Sequence, residues 1–245
     1  MRHAALGAPE DASPSEPSMR TYGVIIAVLV IVSAVAGGFG ESYVPAQLIV
    51  GNDPAATARN ISGSVGLYRL ALVSYLLEAV CDVSLTVALY GLVRRVQRDL
   101  ALVAVLTRFL GTVLFAAAEL FFVAPLVIAG QTQYLNVYSA DQLDVLAVLM
   151  ARVFAFGSAM ANTPYGIGTA LNGVLIVRSG RLPRWTGALL AIGGVGFAVS
   201  SIVALLTPTI GVAAVLIPSA LATLVAMLAL SVWLIGRSGV RPRRS

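Results

Sequence analysis

No lysine occurs anywhere in the 245 residues, and the only histidine is His3. The first absence excludes a retinal Schiff base and a phosphate-binding P-loop, both of which need a lysine side chain. The second excludes bis-histidine haem ligation, zinc hydrolysis of the HExxH type and serine–histidine hydrolysis, since each needs imidazoles held inside the fold. Cys81 is the single cysteine, so no intrachain disulfide can form and cysteine usage says nothing about the compartment. Charge is also scarce: 11% of residues are charged and 58% hydrophobic, with a mean hydropathy of +0.91. Soluble domains carry roughly a quarter charged residues, so a soluble globular domain is excluded. No nucleotide-binding motif and no nucleophile–base pair is present. The sequence therefore points away from an enzyme, and neither a cofactor nor a metal is expected.

What the chain does have is long apolar blocks. A bilayer span needs about 20 apolar residues, and six segments qualify. They run from about Tyr22 to Ser42, Tyr68 to Val93, Leu100 to Ala129, a fourth ending at Val177, Trp185 to Leu206, and Val212 to Ile235. The expected fold is all-α, a polytopic membrane protein whose single transmembrane domain covers residues 21–237. Residues 1–20 are rich in Pro, Ser, Ala and acid, without apolar periodicity, and read as a disordered tail; residues 238–245 read as a basic tail. Glu10, Asp11 and Glu16 in the leader are unlike the basic start of a cleavable signal peptide. The fourth segment is too long for one span. "NTPYGIG" (Asn162 to Gly168) interrupts it, so Asp141 to Arg152 is expected as an interfacial helix and the rest as the span. A continuous, Pro-kinked helix is the alternative.

All sixteen basic residues are arginine. Twelve fall on one side of the six spans: Arg2, Arg20, Arg94, Arg95, Arg98, Arg178, Arg181, Arg184, Arg237, Arg241, Arg243 and Arg244. Only Arg59 and Arg152 fall in the loops or span mouths of the other. Arginine excess marks the cytoplasmic face, so both termini are expected inside. That asymmetry also accounts for the high isoelectric point without nucleic acid. The expected partners are the lipid bilayer and, as a further class, another membrane protein or a second copy of the chain. The small residues of "IGGVGF" and Pro218 are expected to serve close helix contacts.

The remaining charges are buried in spans, and "YLLEAVCDVSL" (Tyr75 to Leu85) sets Glu78 and Asp82 one turn apart on one face. A lone charge at mid-membrane costs about 2.5–3.5 kcal/mol on insertion scales, so partners are expected. Asp82 stands about 18 Å above Arg94 and Arg108 about 14 Å above Asp99, at 1.5 Å per residue. The two are therefore nearly level on neighbouring helices, and Arg108 is expected to pair with Asp82, with Glu78 secondary. Arg108 and Glu119 are eleven residues apart and share a face. The candidate binding site is Glu78, Asp82, Arg108 and Glu119; an outer tier holds Glu41, Arg69 and Arg152, long side chains suited to reaching the interface. Such a group is either a set of structural ion pairs or a polar site for an ion, proton or small solute. An accessory subunit and an intramembrane enzyme using Glu78 or Asp82 are the rival classes.

The stretch "GGFGESYVPAQLIVGNDPAATARNISGSVGLYRLALVSYLLEAVCDVSLTVALYGLV" from Gly37 resembles the bacterial multi-pass membrane family catalogued as domain of unknown function 4386. So do "LTRFLG" around Arg108, "GVLIVRSGRLPRWTGALLAIGGVGF" and the closing "LSVWLIG". The resemblance implies a bacterial plasma-membrane protein of about six helices. It implies no activity and assigns no functional residue.

Overall fold

The computed structural model describes residues 17–50, 53–130, 133–207 and 213–237. The expected tails, apart from residues 17–20 and with them Arg2 and the last three arginines, lie outside the described residues. Helix α1 (Met19–Gly37) starts at Ser18, whose Oγ accepts the Thr21 amide at 3.1 Å and so satisfies one of the free N–H groups of the first turn. Gly38–Tyr43 form a π-helical turn that leads without a break into α2 (Val44–Leu48). The first span therefore reaches Leu48, six residues beyond the expected end at Ser42.

The segment that follows is the loop that carries Arg59. It contains α3 (Pro54–Gly63), started by the Asp53 carboxylate on the Ala56 amide (2.8 Å) and by Pro54 in the first turn. Asn60, which begins the triplet "NIS", donates to the Leu48 carbonyl at 3.3 Å and ties α3 to the end of the first span.

Helices α4 (Val65–Val93), α5 (Arg98–Ala129), α6 (Ala140–Arg178), α7 (Arg184–Leu206) and α8 (Ala213–Arg237) complete the set; a short 3₁₀ turn, Gln133–Val137, links α5 to α6. All six long units are long and apolar enough to cross a bilayer. They pack as a ring in the order α1, α4, α5, α6, α7, α8 and back to α1. The expected break in the fourth segment is absent: α6 is one helix of 39 residues that runs through Pro164. At 1.5 Å per residue it is about 58 Å long, far more than the ~30 Å hydrocarbon layer, so part of it must project beyond that layer. Proline removes one amide from the ladder. Beside it, the Ser201 hydroxyl of α7 donates to the Ala159 carbonyl, and Thr163 and Ser201 are joined at 2.8 Å. The amide missing at Pro164 frees the Met160 carbonyl, one residue from this contact, and the close packing of α7 along the turn lets the helix continue.

Close approach explains the small residues. A Cβ on Gly194 would lie 2.4 Å from the Ala170 amide, whereas one on Gly193 would meet Thr223 of α8. Consecutive glycines of "IGGVGF" therefore serve two different neighbours.

Along the bundle the packing alternates in character. Towards the arginine-rich end lies an apolar core with Ile26, Val30, Leu89, Leu175, Leu190 and Leu230. Towards the other end lies a second core, in which Tyr68, Tyr75, Phe115, Phe122 and Phe154 form a continuous set of ring contacts with centroids 4.5–6.1 Å apart. The polar layer lies between these two and, at Glu41 and Glu119, alongside the second.

Candidate functional site

Two groups of side chains make up the polar layer. The first centres on Arg108, which is completely buried, with 0% of its side chain exposed. Its Nε donates to Thr86 Oγ1 (2.9 Å) and its Nη1 to Thr169 Oγ1 (2.7 Å). Its Nη2 donates to Tyr165 Oη (2.7 Å) and Asp82 Oδ1 (3.3 Å), and the Tyr165 hydroxyl donates to the same Asp82 oxygen (3.4 Å). The guanidinium carbon also lies 4.2 Å from the centre of the Tyr165 ring, a cation–π contact. The expected pairing of Arg108 with Asp82 is thus present. It is a single-point contact within a network that spans α4, α5 and α6.

Backbone packing fixes this network. Gly168 sits directly against α5: a Cβ there would lie 2.5 Å from the Ala104 carbonyl oxygen and 2.6 Å from the Arg108 amide. Gly111 does the same for Tyr165, whose backbone nitrogen would lie 2.6 Å from an added Cβ. With the two helices this close, a hydroxyl at Thr169 and a ring at Tyr165 meet the arginine where it leaves α5.

The second group consists of carboxyl groups. Glu78 was expected to face Arg108 as a secondary partner. Instead it turns towards α1, where its carboxyl lies flat against Gly37, so that an added Cβ would be 2.7 Å from Oε1 and 2.9 Å from Oε2. There it comes within hydrogen-bonding reach of Glu41. Glu41, expected in the outer tier, interacts with Glu78. Because the first span ends at Leu48, Glu41 lies seven residues, about 10 Å, inside the end of the helix. Glu119 on α5 is close enough to Glu41 to interact with its charge. One oxygen of Glu78 (Oε2) and one of Glu119 (Oε1) are buried without a hydrogen-bond partner. A buried polar atom left unpaired is expensive, so each such atom in a fold has a cause.

Glu41 itself is exposed on the bundle surface. The π turn that carries it leaves the Gly40 carbonyl to accept the Tyr75 hydroxyl at 2.9 Å, and π turns are frequent at functional sites. Arg69 and Arg152, by contrast, are exposed towards the outer ends of α4 and α6. Among the described residues no group of three or more His, Cys, Asp or Glu is placed to hold a metal ion.

Reasoning from the sequence overlooked Tyr165, Thr86, Thr169 and Gly37. Thr86 lies one turn beyond Asp82, a spacing open to reading. Tyr165 lay inside the "NTPYGIG" stretch that read as an interruption.

Fold and site together define a six-helix, multi-pass membrane protein with ionisable side chains clustered between its first four spans. The chain belongs to the family described as Domain of unknown function (DUF4386), whose model matches residues 25–237. No curated protein and no solved structure matches it.

Proposed function

We propose that this protein binds and moves a proton, or an ion or small polar solute coupled to one, through the carboxyl groups between α1, α4 and α5. One observation carries the reading: the Glu78 carboxyl lies against Gly37 of α1 and interacts with Glu41, four residues further along, while the buried Arg108 is committed to Asp82. Two carboxylates in contact in a low-dielectric setting hold a proton between them, because both cannot stay ionised at that separation. A pair that must hold a proton to be stable can pass it on when a solute-driven rearrangement brings water to it. Glu41 and Glu78 are that pair, and Glu119 is a third carboxyl within electrostatic reach. The apolar core on one side and the aromatic set on the other would keep water from crossing freely.

The Asp82–Arg108–Tyr165 network supports a second reading for its own part of the layer. Its buried donors each have acceptors, as expected of a fixed pin between α4, α5 and α6, and an accessory subunit would need no more. We also propose a bacterial plasma-membrane location with both termini cytoplasmic, supported by the arginine asymmetry. Purified protein in liposomes loaded with a pH-sensitive dye distinguishes the readings. Carrier function predicts that at least one class of small polar solute, added outside, drives proton movement that Glu78→Gln abolishes. No solute-dependent proton movement across cationic, anionic and neutral solutes would favour the accessory role.

A further inference from the structure

A second polar feature lies far from the carboxyl groups, at the arginine-rich end of the bundle. The turn from α4 to α5 borders an open cavity of about 340 Å³ lined by Tyr90, Arg94, Arg95 and Arg98. We propose that this cavity binds a phosphate group, carried by the head group of an anionic membrane lipid.

Four observations point the same way. The first is charge. Among the described residues, eight arginines (Arg20, Arg94, Arg95, Arg98, Arg178, Arg181, Arg184 and Arg237) belong to this end of the helices, against a single acid, Asp99. Three guanidinium groups line the one cavity, and an anion entering it is attracted by the positive field of this end of the bundle.

The second is the helix end. α5 begins at this cavity, and its N-cap residue, Gln97, makes no side-chain capping bond; its side-chain amide oxygen Oε1 instead accepts Arg178 Nη1 at 3.4 Å. The first amides of a 32-residue helix therefore add their partial positive charge to that of the arginines.

The third is chemistry. Guanidinium groups bind phosphate oxygens through two parallel N–H bonds, which a lysine ammonium cannot do. Tyr90 adds a phenol hydroxyl at the wall.

The fourth is depth. Arg237 stacks over Trp233 at 4.8 Å, and Tyr22 lies against Gly91 at the same end. Aromatic rings of this kind collect at the level of lipid head groups, so the cavity opens where such phosphates are. A basic pocket between spans at this level is suited to a lipid head group.

The test is native mass spectrometry of the full chain in detergent, titrated with phosphatidylglycerol or phosphatidylcholine. Arg94→Gln/Arg98→Gln is compared with Arg181→Gln/Arg184→Gln, which removes the same charge from the same end. The site predicts a preference for phosphatidylglycerol that the first variant weakens about tenfold or more, through loss of charge-assisted bonds. The control variant should change it by less than about twofold, because only a screened surface charge is lost. In a parallel titration, inorganic phosphate is added as competitor. Competition at millimolar levels would assign the cavity to free phosphate and overturn the lipid assignment; lipid binding that persists supports the head group. Equal weakening in both variants, no weakening in either, or no preference for the anionic lipid would overturn the site itself.

Discussion

Removing one partner of the Asp82–Arg108 pair should harm the protein more than removing both. In Asp82→Leu, a guanidinium with 0% exposure keeps only neutral acceptors, Thr86, Thr169 and Tyr165. In Arg108→Leu, Asp82, which is 14% exposed, keeps only the Tyr165 hydroxyl as an outside donor to its carboxylate. Breaking a buried pair in this way costs about 3–5 kcal/mol. The double variant removes both of these charges and costs only the space lost with a large side chain and the two partners of the Tyr165 hydroxyl, on the order of 2–3 kcal/mol. The two single losses should therefore exceed the double by a wide margin. For a chain of this size 1 kcal/mol corresponds to roughly 2–4 °C, so each single variant should lose on the order of 10 °C. The two tryptophans, Trp185 and Trp233, give an intrinsic fluorescence signal for unfolding in detergent. Losses that add across the cycle would show that the residues do not interact, and would refute the argument that pairing offsets the cost of these charges.

Gly168→Ala should destabilise by about 1–3 kcal/mol, because the new methyl meets α5 backbone and not a movable side chain; a thermal melt unchanged from wild type would count against the helix contact. Reporter fusions after residue 237 and within α3 should report opposite sides, with the C-terminal reporter cytoplasmic; a C-terminus outside would overturn the arginine argument. Cysteines placed singly from Asp141 to Arg152 in a Cys81→Ala background should react with a water-soluble thiol reagent at a helical repeat of about 3.6 residues. Uniform protection there would place the start of α6 inside the hydrocarbon layer.

The spans were readable because runs of apolar residues and the arginines that end them depend on local chemistry alone. The Asp82–Arg108 contact was readable for a related reason: α4 and α5 join through a short turn, so counting residues from it gives relative depth. The carboxyl pair was not, since Glu41 can be placed only by knowing where the first span ends. Ser42 looked like that end, yet the π turn and Pro45 continue the helix to Leu48. In α6 the sequence misled differently. Pro164 with its glycines has the composition of a break, but the hydroxyls of Thr163 and Ser201 and the tight contact of Gly166 with α7 hold the helix together through tertiary packing. That same misreading hid Tyr165, which lies in the helix only because the helix continues. Asp53-Pro54, an N-cap followed by proline, was a legible start signal for α3 that the loop assignment passed over.

Infrared difference spectroscopy on the purified protein tests the central claim directly, because a protonated carboxyl absorbs apart from a carboxylate. Stepping the external pH should change a carboxylic-acid carbonyl band in wild type, the band should shift in heavy water, and Glu78→Gln should remove it while Glu119→Gln leaves it in place. A band absent at every pH, or one unaffected by Glu78→Gln, would contradict a proton held between Glu78 and Glu41.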